Sequence, residues 1–201
     1  MHWRRELATC SSAGSQIPQR PLYEVGVVAS GLTRSSTSVR SFRLLVAILM
    51  INYVLAKYSR HVEFIGDEIK DVAQVGSFLS QVLHLASFAN CCDDIEELIQ
   101  AGADVNAIGD LGLRPLHYAV LAGNSEAAHL LLLKGADVRA ENEYGETPMQ
   151  MAHVLGQTGI ENLLLEAGGQ SAYGFDGGAT AKERWLAFKS IQEGNFWTDY
   201  P

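Results

Sequence analysis

Cysteine is scarce in this chain: Cys10, Cys91 and Cys92 are an odd count with no Cys-x-x-Cys spacing, which indicates neither a disulfide framework nor a zinc site. No Asn-x-Ser/Thr acceptor for glycosylation occurs either. Both absences favour a reducing compartment and predict a cytoplasmic protein. Gly-rich phosphate loops, a nucleophile elbow and paired catalytic carboxylates are also missing. No catalytic residue, cofactor or metal is therefore expected, and the chain reads as a non-enzyme. Long apolar runs are lacking too. The run from Leu44 to Ala56 falls short of the roughly 20 residues that cross a bilayer.

Basic residues are few where a nucleic acid would need them. Residues 1–60 hold 8 Lys+Arg against 2 Asp+Glu, whereas 61–201 hold 7 against 21. Phosphate backbones are gripped by Lys and Arg, so the acidic portion excludes nucleic acid and suits a protein partner with a basic surface. Charge and period both change between the two stretches, which sets the first boundaries.

What the chain does have is a repeat. Leu83-His84, Leu116-His117 and Met149-Gln150 recur at an interval of 33 residues, and Gly102-Ala103, Gly135-Ala136 and Gly168-Gly169 close the units at the same interval. Pro115 and Pro148 stand where a first helical residue needs no N–H, and Thr147 precedes Pro148 as an N-cap. Arg114 replaces that cap in the middle unit. Gly123, Gly156 and the tolerant substitute Asn90 mark turns with positive φ. Leu98-Ile99, Leu131-Leu132 and Leu164-Leu165 supply apolar layers that a single unit cannot bury.

This pattern resembles the ankyrin repeat family, whose period and Thr-Pro-Leu-His-x-Ala signature fit RPLHYA at 114–119 and TPMQMA at 147–152. The resemblance covers 78–169. It implies an all-α fold: a short solenoid of three helix-turn-helix units with projecting hairpin loops and helical caps. It also implies that His84 and His117 tie neighbouring loops by hydrogen bonds, with Gln150 in that place in the last unit.

Carried over by position, the resemblance places a partner-binding groove along the hairpin tips and the first-helix face. Its centre would be Leu111, Leu113, Leu121 and Tyr144, rimmed by Glu141, Glu143 and Glu146, with Phe88 and Ile108 as further contacts. The spacing of Leu98, Asp104, Val105 and Asn106 looks like a substrate pattern of the asparaginyl hydroxylase that inhibits hypoxia-inducible factor, which makes Asn106 a candidate hydroxylation site, although the same letters are ordinary repeat consensus.

Outside the repeats the organisation is coarser. Residues 1–41, rich in Ser and Arg, read as a disordered basic arm or an organelle-targeting segment. Residues 42–60 read as an apolar helix that packs on the repeats or attaches to a membrane. Ile69, Val72, Ala73 and Leu79 lie at helical spacings, so 61–77 reads as an N-terminal capping helix, with Asp67 as its cap. The tail, 170–201, contains a helix from Ala179 to Gln192 with Thr180 and Glu183 as a capping box and Trp185, Phe188 and Ile191 as its apolar stripe. That helix caps the last repeat or docks on a partner.

The leading reading is a monomeric, non-catalytic adaptor that binds one protein through the concave face. Its rivals are a membrane-tethered adaptor held by Leu44 to Ala56, and a regulatory subunit of an enzyme whose catalytic part lies on another chain.

Overall fold

The computed structural model describes residues 36–59, 61–64, 68–77, 79–172, 174–175 and 178–195, and no side chain of 36–43, 62, 178–179 or 195. Among the described residues the chain is all-helical, with no strand beyond an isolated bridge between Val75 and Gln81. By contacts it divides into two units, Met1–Leu49 and Met50–Pro201. The expected arm, 1–41, lies outside the described residues except for its last six, which already belong to helix α1, Ser36–Tyr58.

The repeats are built from paired helices: α2 (Val82–Phe88) with α3 (Cys92–Gln100), α4 (Pro115–Ala122) with α5 (Ser125–Leu133), and α6 (Pro148–Leu155) with α7 (Thr158–Glu166). An inner layer, α2–α4–α6, and an outer layer, α3–α5–α7, stack side by side. The local chemistry is what the sequence requires. Pro115 and Pro148 open their helices. The Thr147 hydroxyl accepts from Gln150 N–H at 3.3 Å while the Gln150 side chain accepts from Thr147 N–H at 2.8 Å. At the equivalent place Arg114 supplies no side-chain cap, and its N–H donates to His117 Nδ1 at 3.1 Å. The inter-helix turns have φ of +86° at Gly123, +72° at Gly156 and +56° at Asn90. Asn90 adds what glycine cannot, for its amide donates to Glu126 Oε2 at 2.6 Å and accepts from Ala127 N–H at 3.1 Å, stitching the first repeat to the second.

Leu83, Ile95, Leu98, Leu116, Leu131 and Leu164 are all buried in one continuous core. The open end of the first repeat is covered differently from expectation. The described part of 61–77 forms only a 3₁₀ turn, Val62–Phe64, and a non-helical segment thereafter. Glu63 is the physical reason. Its carbonyl accepts from Ser77 N–H at 2.9 Å, its carboxylate accepts from Ser80 N–H at 3.2 Å, and a Cβ on Gly76 would stand 2.8 Å from its carbonyl oxygen. Those bonds satisfy the backbone in place of a helical ladder. Val54, Leu55, Tyr58 and Phe64 join the core instead. Tyr58 donates to Asp94 Oδ2 at 2.9 Å, and Lys57 pairs with the same oxygen.

The C-terminal helix, α8, spans Gly178–Asn195. It begins before Thr180, which is an interior residue and not the N-cap. Its buried face is Ala181, Trp185 and Gln192, with Phe188 half-buried; Ile191, expected in the stripe, is 56% exposed. Positions i, i+4, i+7 and i+11 share a helix face, and i+10 falls off its edge.

Candidate protein-binding face

Two projecting loops and the inner helices form the face on which the sequence placed the groove. In the first loop, Gly109 N–H donates to Leu113 O at 2.8 Å and Leu113 N–H to Asp110 O at 3.0 Å, closing a tight turn with Leu111 at φ +55° and Gly112 at +70°. In the second, Asn142 Oδ1 accepts from Tyr144 N–H at 2.9 Å and from Glu146 N–H at 3.0 Å. Glu143 N–H donates to Leu111 O at 3.0 Å and joins the tips into one edge. Gly112 has no substitute there, since a Cβ would meet Glu143 N at 2.9 Å.

Asn142 is buried, so removing its acceptor strands two backbone donors. Each unsatisfied buried group costs about 1–3 kcal/mol. Asn142→Ala is therefore expected to lower unfolding free energy in urea by about 2 kcal/mol or more, whereas an unchanged midpoint would mean that water replaces the side chain.

The expected contact residues separate into two groups. Ile108 is 65% exposed and Tyr144 47% exposed; Glu141 and Glu143 are exposed and Leu111 is half-buried. Phe88, Leu113, Leu121 and Glu146 are buried. These four are corrected from surface to interior. Leu113 is folded inward by the turn that closes on it. Leu121 belongs to α4, whose residues from Pro115 to Leu121 are buried on every side. A helix buried all round has neighbours all round. Those of α4 are α2, α6 and α5 within the stack, and α8 on the remaining face.

α8 also explains Glu146. Its Oε1 accepts from Arg184 Nη2 and its Oε2 from Trp185 Nε1, both at 2.6 Å. The Arg184 guanidinium lies 3.9 Å from the Tyr144 ring centroid, and Trp185 meets the same ring edge-on at 5.7 Å. Phe188 stands edge-on to Tyr118 at 6.2 Å, and Lys189 Nζ donates to Ala122 O at 3.0 Å. The sequence reading missed Arg184, Lys189 and the inward turn of Glu146. The available signal was an Arg-Trp pair in the tail of an otherwise acidic stretch.

His84 and His117 hold the helix starts. His84 Nδ1 accepts from Gln81 N–H at 3.0 Å and its Nε2 meets Ala107 O at 3.1 Å, which ties the helix start to the next loop. Burial lowers the pKa values of His84 and His117 to about 4, and that of His61 likewise. Asn106 is engaged at both ends of its amide: Nδ2 donates to Gly135 O at 3.2 Å, and Oδ1 accepts from Asp137 N–H at 2.8 Å. Its side chain therefore bridges successive repeats.

The family model for ankyrin repeats (3 copies) matches residues 83–173. The chain carries three ankyrin repeats. A comparison with curated proteins finds no match. Ankyrin repeats generally mediate protein–protein interaction and are generally non-catalytic. In this array the inner face of the second and third repeats carries α8, and Ile108, Glu141 and Glu143 of the hairpin loops are exposed.

Proposed function

We propose that the protein is a non-catalytic, monomeric, cytoplasmic adaptor that binds a protein partner along the hairpin edge of its ankyrin array. The carrying observation is that Ile108, Glu141, Glu143 and Tyr144 remain at the surface on loops whose tips are joined through Glu143 N–H and Leu111 O. Ile108, exposed on its projecting loop, is no part of the buried core, and an apolar anchor inside a charged rim matches the usual distribution of binding energy. The acidic rim favours a basic partner surface and salt-sensitive association.

Ile108→Asp with Glu143→Lys is the test, because neither side chain is needed inside the fold. The double variant is expected to lose the proteins that co-purify with wild type, by quantitative mass spectrometry, with its melting temperature within about 2 °C of wild type. An unchanged co-purifying set would sink the reading.

The stretch 44–49 of α1 supports a second attachment. Leu44, Leu45, Ile48 and Leu49 are exposed together on it. No helix among the described residues is long and apolar enough to cross a membrane. An interfacial contact with a lipid surface is the form of tethering that remains compatible with this helix. Liposome flotation of wild type against Leu45→Ser with Leu49→Ser reads it directly, and equal flotation removes it.

A further inference from the structure

α8 does not extend the solenoid. Repeats join inner helix to inner helix and outer helix to outer helix, whereas α8 packs on the inner helices α4 and α6. Its hold is concentrated in a short motif. Both oxygens of the buried Glu146 carboxylate are taken by consecutive residues, Arg184 and Trp185, and Trp185 is wholly buried. Three residues on, Phe188 packs against Tyr118; one further, Lys189 reaches Ala122 O at the C-terminal end of α4, where carbonyls and the helix dipole favour a cation. Elsewhere the contact is sparse. Leu186 and Ile191 are exposed on the far side, and among the described side chains of α8 the buried ones besides Trp185 are Ala181 and Gln192. One aromatic anchor in a charged and aromatic seat is the arrangement of a helix bound in a groove.

We propose that the seat formed by Tyr118, Ala122, Tyr144 and Glu146 is a receptor for a partner's amphipathic helix carrying an Arg-Trp pair, an aromatic residue three positions after the Trp and a Lys next to it. α8 is the intramolecular occupant that such a helix displaces. The idea rests on the reading that the array binds protein; the seat meets the hairpin edge only at Tyr144, whose ring faces Arg184 and Trp185, and includes neither Ile108 nor Glu143. Glu146 sets the chemistry: a helix with an acid at the Arg position, or without the indole donor, leaves a buried carboxylate unpaired and is rejected.

The test uses the full chain and a fluorescein-labelled peptide of residues 178–195. A tethered helix competes at an effective concentration on the order of millimolar. Arg184→Ala with Trp185→Ala should therefore bind the peptide at least about 10-fold more tightly than wild type does by anisotropy, and a peptide with Trp185→Ala should not bind. Equal weak binding to both proteins overturns the proposal. So does loss of cooperative melting of the repeats in the double variant, which would make α8 an integral part of the fold. Hydrogen exchange on wild type needs no variant: α8 amides should exchange at least about 10-fold faster than those of α4, and equal protection overturns displacement. A concentration-dependent wild-type dimer that the peptide disperses would assign the seat to a second copy's α8 and overturn the partner claim. Ile108→Asp should leave peptide affinity unchanged, so failure here and failure at the hairpin edge are read separately.

Discussion

Acidification from pH 7.5 to pH 5.0 is expected to remove about 4 kcal/mol of unfolding free energy through His84 and His117 alone. Both rings are fully buried, and burial lowers each pKa to about 4. The unfolded chain titrates near 6.5. Between those values the unfolded state binds more protons than the folded one, so stability is complete above about pH 6.5 and falls as pH drops toward 4. At pH 5.0 the difference amounts to about 2 kcal/mol per histidine. That is large beside a marginal stability of about 5–15 kcal/mol. The third repeat carries its own control, since Gln150 performs the same helix-start bond without a titrating group. His84→Gln with His117→Gln should flatten most of the slope of urea-unfolding free energy between pH 7.5 and 5.0, leaving the share of His61. A double variant as acid-sensitive as wild type would move the cause away from these rings.

Glu146→Ala should detach α8. The substitution removes acceptors from Arg184 and Trp185, two bonds of 2.6 Å at a carboxylate only 7% exposed. Breaking a buried pair of this kind costs about 3–5 kcal/mol, because the remaining partner is left uncompensated. Undocking lets the guanidinium and the indole N–H regain water, so the loss cannot exceed the docking free energy of α8. The array itself should stay folded. Limited trypsin digestion measures this: cleavage after Lys182, Arg184 and Lys189 should precede any cut between 82 and 166. Glu146→Gln keeps the shape and one acceptor and should fall between alanine and wild type. If α8 sites are cut no earlier than those of the repeats, Glu146 is not what holds the helix.

Both predictions depend on side chains whose surroundings the sequence described unequally. For His84 and His117 the resemblance implied a tie between neighbouring loops, which His84 makes at Ala107 O; the bond that each ring accepts from the N–H three residues earlier was not foreseen. The positive-φ turn at Asn90 was legible because that conformation is a local preference of the residue. Glu146 was not. It follows Gly145 in a loop tip, where an acid is usually solvated, and its partners lie 38 and 39 residues away. Leu121 was misplaced because an inner helix faces water only when nothing else lies on it. The expected capping helix failed for a related reason. Ile69, Val72 and Ala73 have helical spacing, but Glu63 takes the N–H groups of Ser77 and Ser80 into other bonds, and Tyr58 and Phe64 join the core.

By itself, then, the sequence determined the three-unit helical stack. Period, proline starts, tolerant turns and apolar layers act over a few residues or between adjacent repeats, and each appears in the letters at fixed intervals. Tertiary structure alone decided which part of the inner face is open. That choice depends on where a single helix outside the period comes to rest, and its position is set by the buried Glu146 carboxylate, the Arg184-Trp185 pair and the Tyr118–Phe188 contact. Such contacts have no periodicity, and their strength comes from desolvation that exists only once the chain has folded.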